Sequence, residues 1–187
     1  MPGLSSDTCA SASACVVTAI KKDFEVLSSS NASQAQKLAS LKFLGHWVGD
    51  IHQPLHVSCE DDRAETAYWG SGYLAPILHA AWDTCLVLKA LGEDVNEAAT
   101  ELMKTITPAG IESWTHSEPM DWANESFAIA EQARTEYCIR QGTSCDHPSG
   151  KVKIDAAYVA ASTQIVKEQL QKAGVRLAHM LDAALAK

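Results

Sequence analysis

Residues 46–56 read HWVGDIHQPLH, and residues 79–83 answer them with HAAWD. His46 and Asp50, His52 and His56, and His79 and Asp83 each stand four positions apart. Residues four apart on a helix lie one above the other on the same face, so each His–Asp pair aims an imidazole and a carboxylate at one point. Nitrogen and oxygen donors in that arrangement suit zinc. A lone pair of this kind is more commonly a surface ion pair or a helix cap. Here four of the chain's seven histidines fall between residues 46 and 79 inclusive, and it is that density that points to a metal.

Outward from this stretch the pattern is helical. Val16, Val17, Ile20, Phe24 and Leu27 fall on one face and predict a helix over about 13–27. SSSNAS then makes a turn, with Asn31 or Ser33 as the N-cap of the next helix. That helix, over about 33–53, is expected to bury Leu38, Leu41, Phe43, Leu44, Trp47, Val48 and Ile51 and to break at Pro54, which leaves His56 beyond the break. Residues 58–75 are polar and glycine-bearing and suit a long loop or a small hairpin. Further helices are expected over about 75–91 (ended by Gly92), 96–105, 108–117, 119–139 and 155–185, the last with a weak point at Gly174, and with a loop over 141–153. No repeat or linker divides the 187 residues, so the pattern predicts a single all-α domain of mostly antiparallel helices.

The net charge of −8 argues against a non-specific duplex binder, which would carry a basic face, but leaves room for an enzyme that meets phosphate through metal ions. No apolar run is long enough to predict a membrane span. Of the six cysteines, Cys9/Cys15 and Cys138/Cys145 each bracket a short polar stretch and look like local disulfides of an oxidising compartment, while Cys59 and Cys85 are expected free. None has the CxxC spacing of a cysteine zinc site. The sequons at Asn31 and Asn124 matter only in a cell that glycosylates exported proteins. The first residues, MPGLSSDTCASASACVV, lack the basic region and apolar core of a signal peptide.

GHWVGDIHQPLHV followed by LHAAWDT, with CVVTAIKKDFEVL upstream and WANESF and AGVRLAHMLDAAL downstream, resembles the S1/P1 nuclease family, whose fold is shared with zinc-dependent phospholipase C. The resemblance runs through most of the chain. It implies a zinc-dependent endonuclease that cleaves single-stranded DNA or RNA to 5′-phosphorylated products, with 3′-nucleotidase activity beside it, and a secreted or periplasmic location. Family members hold three zinc ions at the bottom of a cleft. Carried over by residue, the resemblance makes His46 and Asp50 ligands of one zinc, with Asp50 also bridging to another and serving as the catalytic carboxylate. It makes His56, His79 and Asp83 the complete protein set of a second zinc. His52 takes no ligand role and is expected beside the site or facing solvent. His116, His147 and His179 are assigned to the surface or to helix packing. Trp47, Trp82, Trp114 and Trp122 go to the core, and Trp69 and Tyr73 are the candidates for stacking on bases.

The sequence departs from the family at its start. The family's chain begins with a zinc-binding Trp, and further His and Asp ligands precede the motif. Here no His precedes His46, no Trp precedes Trp47, and Asp7 and Asp23 lack matching contexts. Arg63-Ala64-Glu65-Thr66 stands where the family shows Gly-Gly-Asn. Residues 1–187 are therefore expected to form a nuclease-like helical domain, N-terminally truncated or divergent, with one complete zinc site. Two other readings stay open: a phospholipase C-like phosphodiesterase, and an inactive helical remnant that keeps a metal.

Overall fold

In the computed structural model, which describes residues 15–57, 67–69, 74–75, 78–135, 137, 139–141, 144–146 and 152–186, helices carry most of the chain. Helix α1 (Val16–Ser28) turns Val17, Ile20 and Leu27 inward, on the face the apolar spacing predicts. Ser33 starts α2 (Gln34–Ile51): its hydroxyl accepts the Gln36 N–H while the Gln36 side-chain oxygen accepts the Ser33 N–H, a reciprocal capping box. Pro54 has no N–H to give and its ring crowds the preceding turn, so α2 stops at Ile51 and the chain passes into a short 3-10 turn, Pro54–Val57.

Helix α2 buries a narrower stripe than expected. Ser40, Leu44, Val48 and Ile51 face inward, whereas Leu38, Leu41 and Phe43 are exposed and Trp47 is half-buried. Apolar residues run around this helix rather than along one side, and residues on the far side of the cylinder cannot share the buried stripe. Trp47 is tied by a hydrogen bond instead: Asp23 of α1 accepts from its Nε1 at 2.9 Å and from the Ser40 hydroxyl at 2.9 Å.

Helix α3 covers 78–91 in three continuous pieces: Leu78–Ala80, a π-helical turn Ala81–Cys85, and Leu86–Leu91. It ends at Gly92, whose φ of 80° suits a residue without Cβ. Helices α4 (Val95–Met103) and α5 (Pro108–Thr115) are capped by Asp94 and Thr107, and α5 has Pro in its first turn. Helix α6 (Pro119–Ala130) is shorter than the helix expected to reach residue 139. The buried Thr135, on a 3-10 turn Ala133–Thr135, donates its hydroxyl to the Ala130 carbonyl and closes the helix end. Helix α7 (Ala156–Leu185) starts on Asp155, whose carboxylate accepts the N–H groups of Ala157 and Tyr158, and runs unbroken through Gly174.

Short strands fill part of the expected loops. β1 (Ala67–Trp69) pairs antiparallel with β2 (Leu74–Ala75), the expected hairpin, and parallel with β5 (Val152–Ile154). β3 (Ile139–Gln141) pairs antiparallel with β4 (Ser144–Asp146), so the expected loop over 141–153 contains ladders. These strands are too short to change the all-α class.

The chain divides into two compact units: Met1–His52 with Ile106–Glu125 and Leu170–Lys187, and Gln53–Thr105 with Ser126–Gln169. In the first, Ile20, Leu44, Val48 and Trp122 are buried; in the second, Trp82, Leu86, Ile154 and Tyr158 are. Cys15 is disulfide-bonded and Cys85 is free. The side chains of Cys9, Cys59, Cys138 and Cys145 lie outside the described residues. Among those described, no helix is long and apolar enough to cross a membrane.

Candidate metal centre

In the second unit three side chains converge from two separate segments. His56 sits on the 3-10 turn that Pro54 forces, His79 on the first turn of α3, and Asp83 in the π-helical turn that follows. The Nε2 atoms of His56 and His79 face each other at 3.2 Å. Asp83 places Oδ1 at 3.2 Å from the His56 Nε2 and Oδ2 at 3.6 Å from the His79 Nε2. Ligands on a tetrahedral zinc at roughly 2.0–2.1 Å stand about 3.3 Å apart, and here one ligand atom from each of the three residues lies within 4.8 Å of the others. Two nitrogens and one carboxylate, partly open to solvent, leave a position free for water or a phosphate oxygen, as in a catalytic zinc site.

Within this π-helical turn α3 presents one side chain to the core and the next to the two imidazoles. In it the Leu86 N–H reaches back five residues to the Ala81 carbonyl. Trp82, only 2% exposed, donates its Nε1–H to the Tyr158 hydroxyl at 2.9 Å, which donates in turn to the Thr135 carbonyl at 2.7 Å. Asp83, next in sequence, is left exposed beside the imidazoles. A residue the sequence reading passed over also belongs here. The Gln53 carboxamide donates to Asp83 Oδ1 at 2.7 Å and accepts the Leu55 N–H. Helical spacing carries no sign of that bond, because its partners are 30 residues apart.

In the first unit His46 and Asp50 meet as their spacing predicts, Nε2 to Oδ2 at 3.2 Å, with side chains 60% and 24% exposed. Among the described residues they form a pair rather than a cluster of three. His52 does not face solvent. It is 3% exposed and gives its Nδ1–H to the Val48 carbonyl at 2.8 Å, which leaves Nε2 to accept from Arg176 Nη1 at 2.8 Å. Burial pushes its pKa down to about 4, opposed by the Val48 bond and assisted by the Arg176 charge. Arg176 itself is 1% exposed, with every guanidinium N–H accepted: by His52, twice by Glu125, by Ser117 and by the Trp114 carbonyl. It also lies over the Trp122 ring at 5.2 Å. Burial pulls the Glu125 carboxyl up, but Arg176 and Lys172 more than offset this and hold it below the usual range. This network anchors residues 170–185 of α7 in the first unit, and nothing in the sequence singles out Arg176.

Of the other candidates, Trp82 and Trp122 are buried, Trp114 is half-buried, and His116 and His179 are exposed. Tyr73, His147, residues 63–66 and the side chain of Trp69 lie outside the described residues. A cleft of about 340 Å³ in the first unit is lined by Lys21, Phe24, Glu25, Trp122 and His179 among others, and includes none of the five candidate ligands.

Comparison with known proteins follows the same residues. The family model described as S1/P1 Nuclease matches residues 3–186. The chain is 30% identical to Nuclease S1 of Aspergillus oryzae over 96% of its own length and 66% of that protein. It is 30% identical to Nuclease P1 of Penicillium citrinum over 91% of its length and 66% of that protein. It is 26% identical to Endonuclease 4 of Arabidopsis thaliana over 76% of its length and 49% of that protein. The chain thus spans between about half and two thirds of these relatives.

Proposed function

The chain belongs to the S1/P1 nuclease family, and on that premise we propose that it is a zinc-dependent hydrolase cleaving phosphodiester bonds of single-stranded DNA or RNA to leave 5′-phosphorylated ends. The observation that supports this reading best is the convergence of His56, His79 and Asp83 at zinc-ligand spacing. Zinc held there supplies a Lewis acid and an acidified water for in-line attack at phosphorus. The chain's own part is placement. His56 and His79 offer nitrogen lone pairs, Asp83 brings negative charge, and the partial exposure of all three admits a backbone phosphate. We assign His46 and Asp50 to a further zinc, with Asp50 as the catalytic carboxylate. Removal of a 3′-phosphate from nucleotides is the second activity of the same chemistry. Residues 1–187 are read as one nuclease-like helical domain. The disulfide at Cys15 supports a secreted or periplasmic location.

The test is zinc content per chain after dialysis, followed by hydrolysis of single-stranded DNA and of phosphatidylcholine in parallel. Zinc-dependent loss of DNA alone is expected, and turnover of the lipid alone would move the assignment to a phospholipase. Asp83→Ala deletes the carboxylate of a three-residue set and is expected to lose its zinc and its DNA cleavage together. Zinc retained by that variant at the parent's affinity would overturn the site.

A further inference from the structure

We propose that Gln53 is a positioning residue for the metal centre: its carboxamide fixes the direction of the Asp83 carboxylate and links the turn that carries His56 to the segment of α3 that carries Asp83. The inference rests on the reading of His56, His79 and Asp83 as metal ligands. The amide orientation is settled by its two partners. The Leu55 backbone N–H can only donate, so the Gln53 oxygen faces it. The nitrogen therefore faces Asp83 Oδ1, which as a carboxylate oxygen can only accept, at 2.7 Å. That same Oδ1 lies 3.2 Å from the His56 Nε2.

Pro54 gives this arrangement its stiffness. It removes one N–H, fixes its own φ, and makes Leu55 the first residue after Gln53 able to donate. The Gln53 side chain thus closes a short ring over its own turn through its oxygen and turns its NH2 group to the one carboxylate of the cluster. A flexible Asp side chain has many rotamers. Held by Gln53, it keeps an oxygen toward each imidazole before any ion arrives, so less ordering remains to be done when the metal binds.

The experiment measures zinc affinity by competition with a chromophoric chelator, and the visible spectrum of the Co²⁺-loaded protein, for the full chain and three variants. Gln53→Met keeps the side-chain length and loses both hydrogen bonds. Gln53→Asn keeps a carboxamide whose oxygen can still cap the N–H two residues on, but its nitrogen falls short of Asp83. His79→Ala removes a ligand. Both Gln53 variants are expected to bind zinc about tenfold to a hundredfold more weakly than the parent and to show an altered Co²⁺ spectrum. Gln53→Asn should keep the parent's thermal stability in the metal-free state. Parent-like affinity and spectrum in Gln53→Asn would overturn the proposal, because the turn cap alone would then account for Gln53. If Gln53→Met does not fold, Gln53→Asn still decides. If the parent binds no zinc, or His79→Ala binds it as tightly as the parent, the metal reading itself fails and takes this inference with it.

Discussion

His52 keeps its one proton on Nδ1 for the Val48 carbonyl and its Nε2 lone pair for Arg176. A second proton would break the bond to Arg176 and set two cations against each other in a buried place. Its folded-state pKa of about 4 lies below the ordinary 6.5. Between those values the unfolded chain binds a proton that the folded chain refuses, so stability rises with pH across that window. The contribution is complete above about pH 6.5 and is lost as pH falls toward 4, a change on the order of 3 kcal/mol. Glu125, held low by Arg176 and Lys172 against the pull of burial, adds loss of the same sign at more acid pH. Urea denaturation across this range, with chelator present so that no metal contributes, should show the slope in the parent and a flatter one in His52→Gln. Equal slopes in the two proteins would place the proton elsewhere. That His46 and Asp50 meet is legible in the sequence because their partnership is local. The sequence leaves His52 between two alternatives because its partner lies 124 residues away.

At the scale of elements, the helices were legible wherever their limits are local. Ser33, Pro54, Gly92 and Asp155 each mark a boundary through the chemistry of one side chain or one φ angle. The breadth of the buried face of α2 was not legible, because Leu38, Leu41 and Phe43 look like core residues to any reading that does not know where the neighbours stand. The strands, two or three residues long, have too little length to show a period. The π-helical turn in α3 was hidden for another reason: Trp82 is fastened to Tyr158, far along the chain. Tyr158→Phe would leave the Trp82 N–H and the Thr135 carbonyl without this shared partner. The expected cost is about 1–3 kcal/mol, read as a lower midpoint in thermal denaturation with the helical circular dichroism unchanged. A variant as stable as the parent would show that both groups find other partners at no cost.

For the whole molecule, the candidate metal centre is a link between distant parts of the sequence. His56 and Asp83 are 27 residues apart, and an ion joining them binds the folded chain far better than the unfolded one. Zinc at a hundredfold excess over its dissociation constant is expected to stabilise the protein by about 2.7 kcal/mol. The thermal midpoint should rise on adding zinc and return on adding chelator, and His79→Ala should not respond. A shift of equal size in that variant would mean that the ion acts at another place. Family, helical class and the convergence of His56, His79 and Asp83 were legible here because the motif residues are chemically uncommon and closely spaced. Gln53 and Arg176 were not, since Gln and Arg are ordinary surface residues until the fold shows what they touch.

The turn at Ala81–Cys85 also has a meaning at the level of the gene. A π-helical turn holds one residue more than an α-helical turn needs, so it behaves as a single-codon insertion in an otherwise regular helix. Deleting the codon for Thr84 would let the backbone return to the ordinary repeat, and the reading frame would survive intact. In the regular helix His79, Trp82 and Asp83 would be turned against Leu86 and the residues after it by about one residue's rotation. Such a lineage would lose the present match between the buried Leu86 and the placing of Trp82 and Asp83 one turn before it, so an in-frame deletion here should be as damaging as a substitution of the residues it displaces.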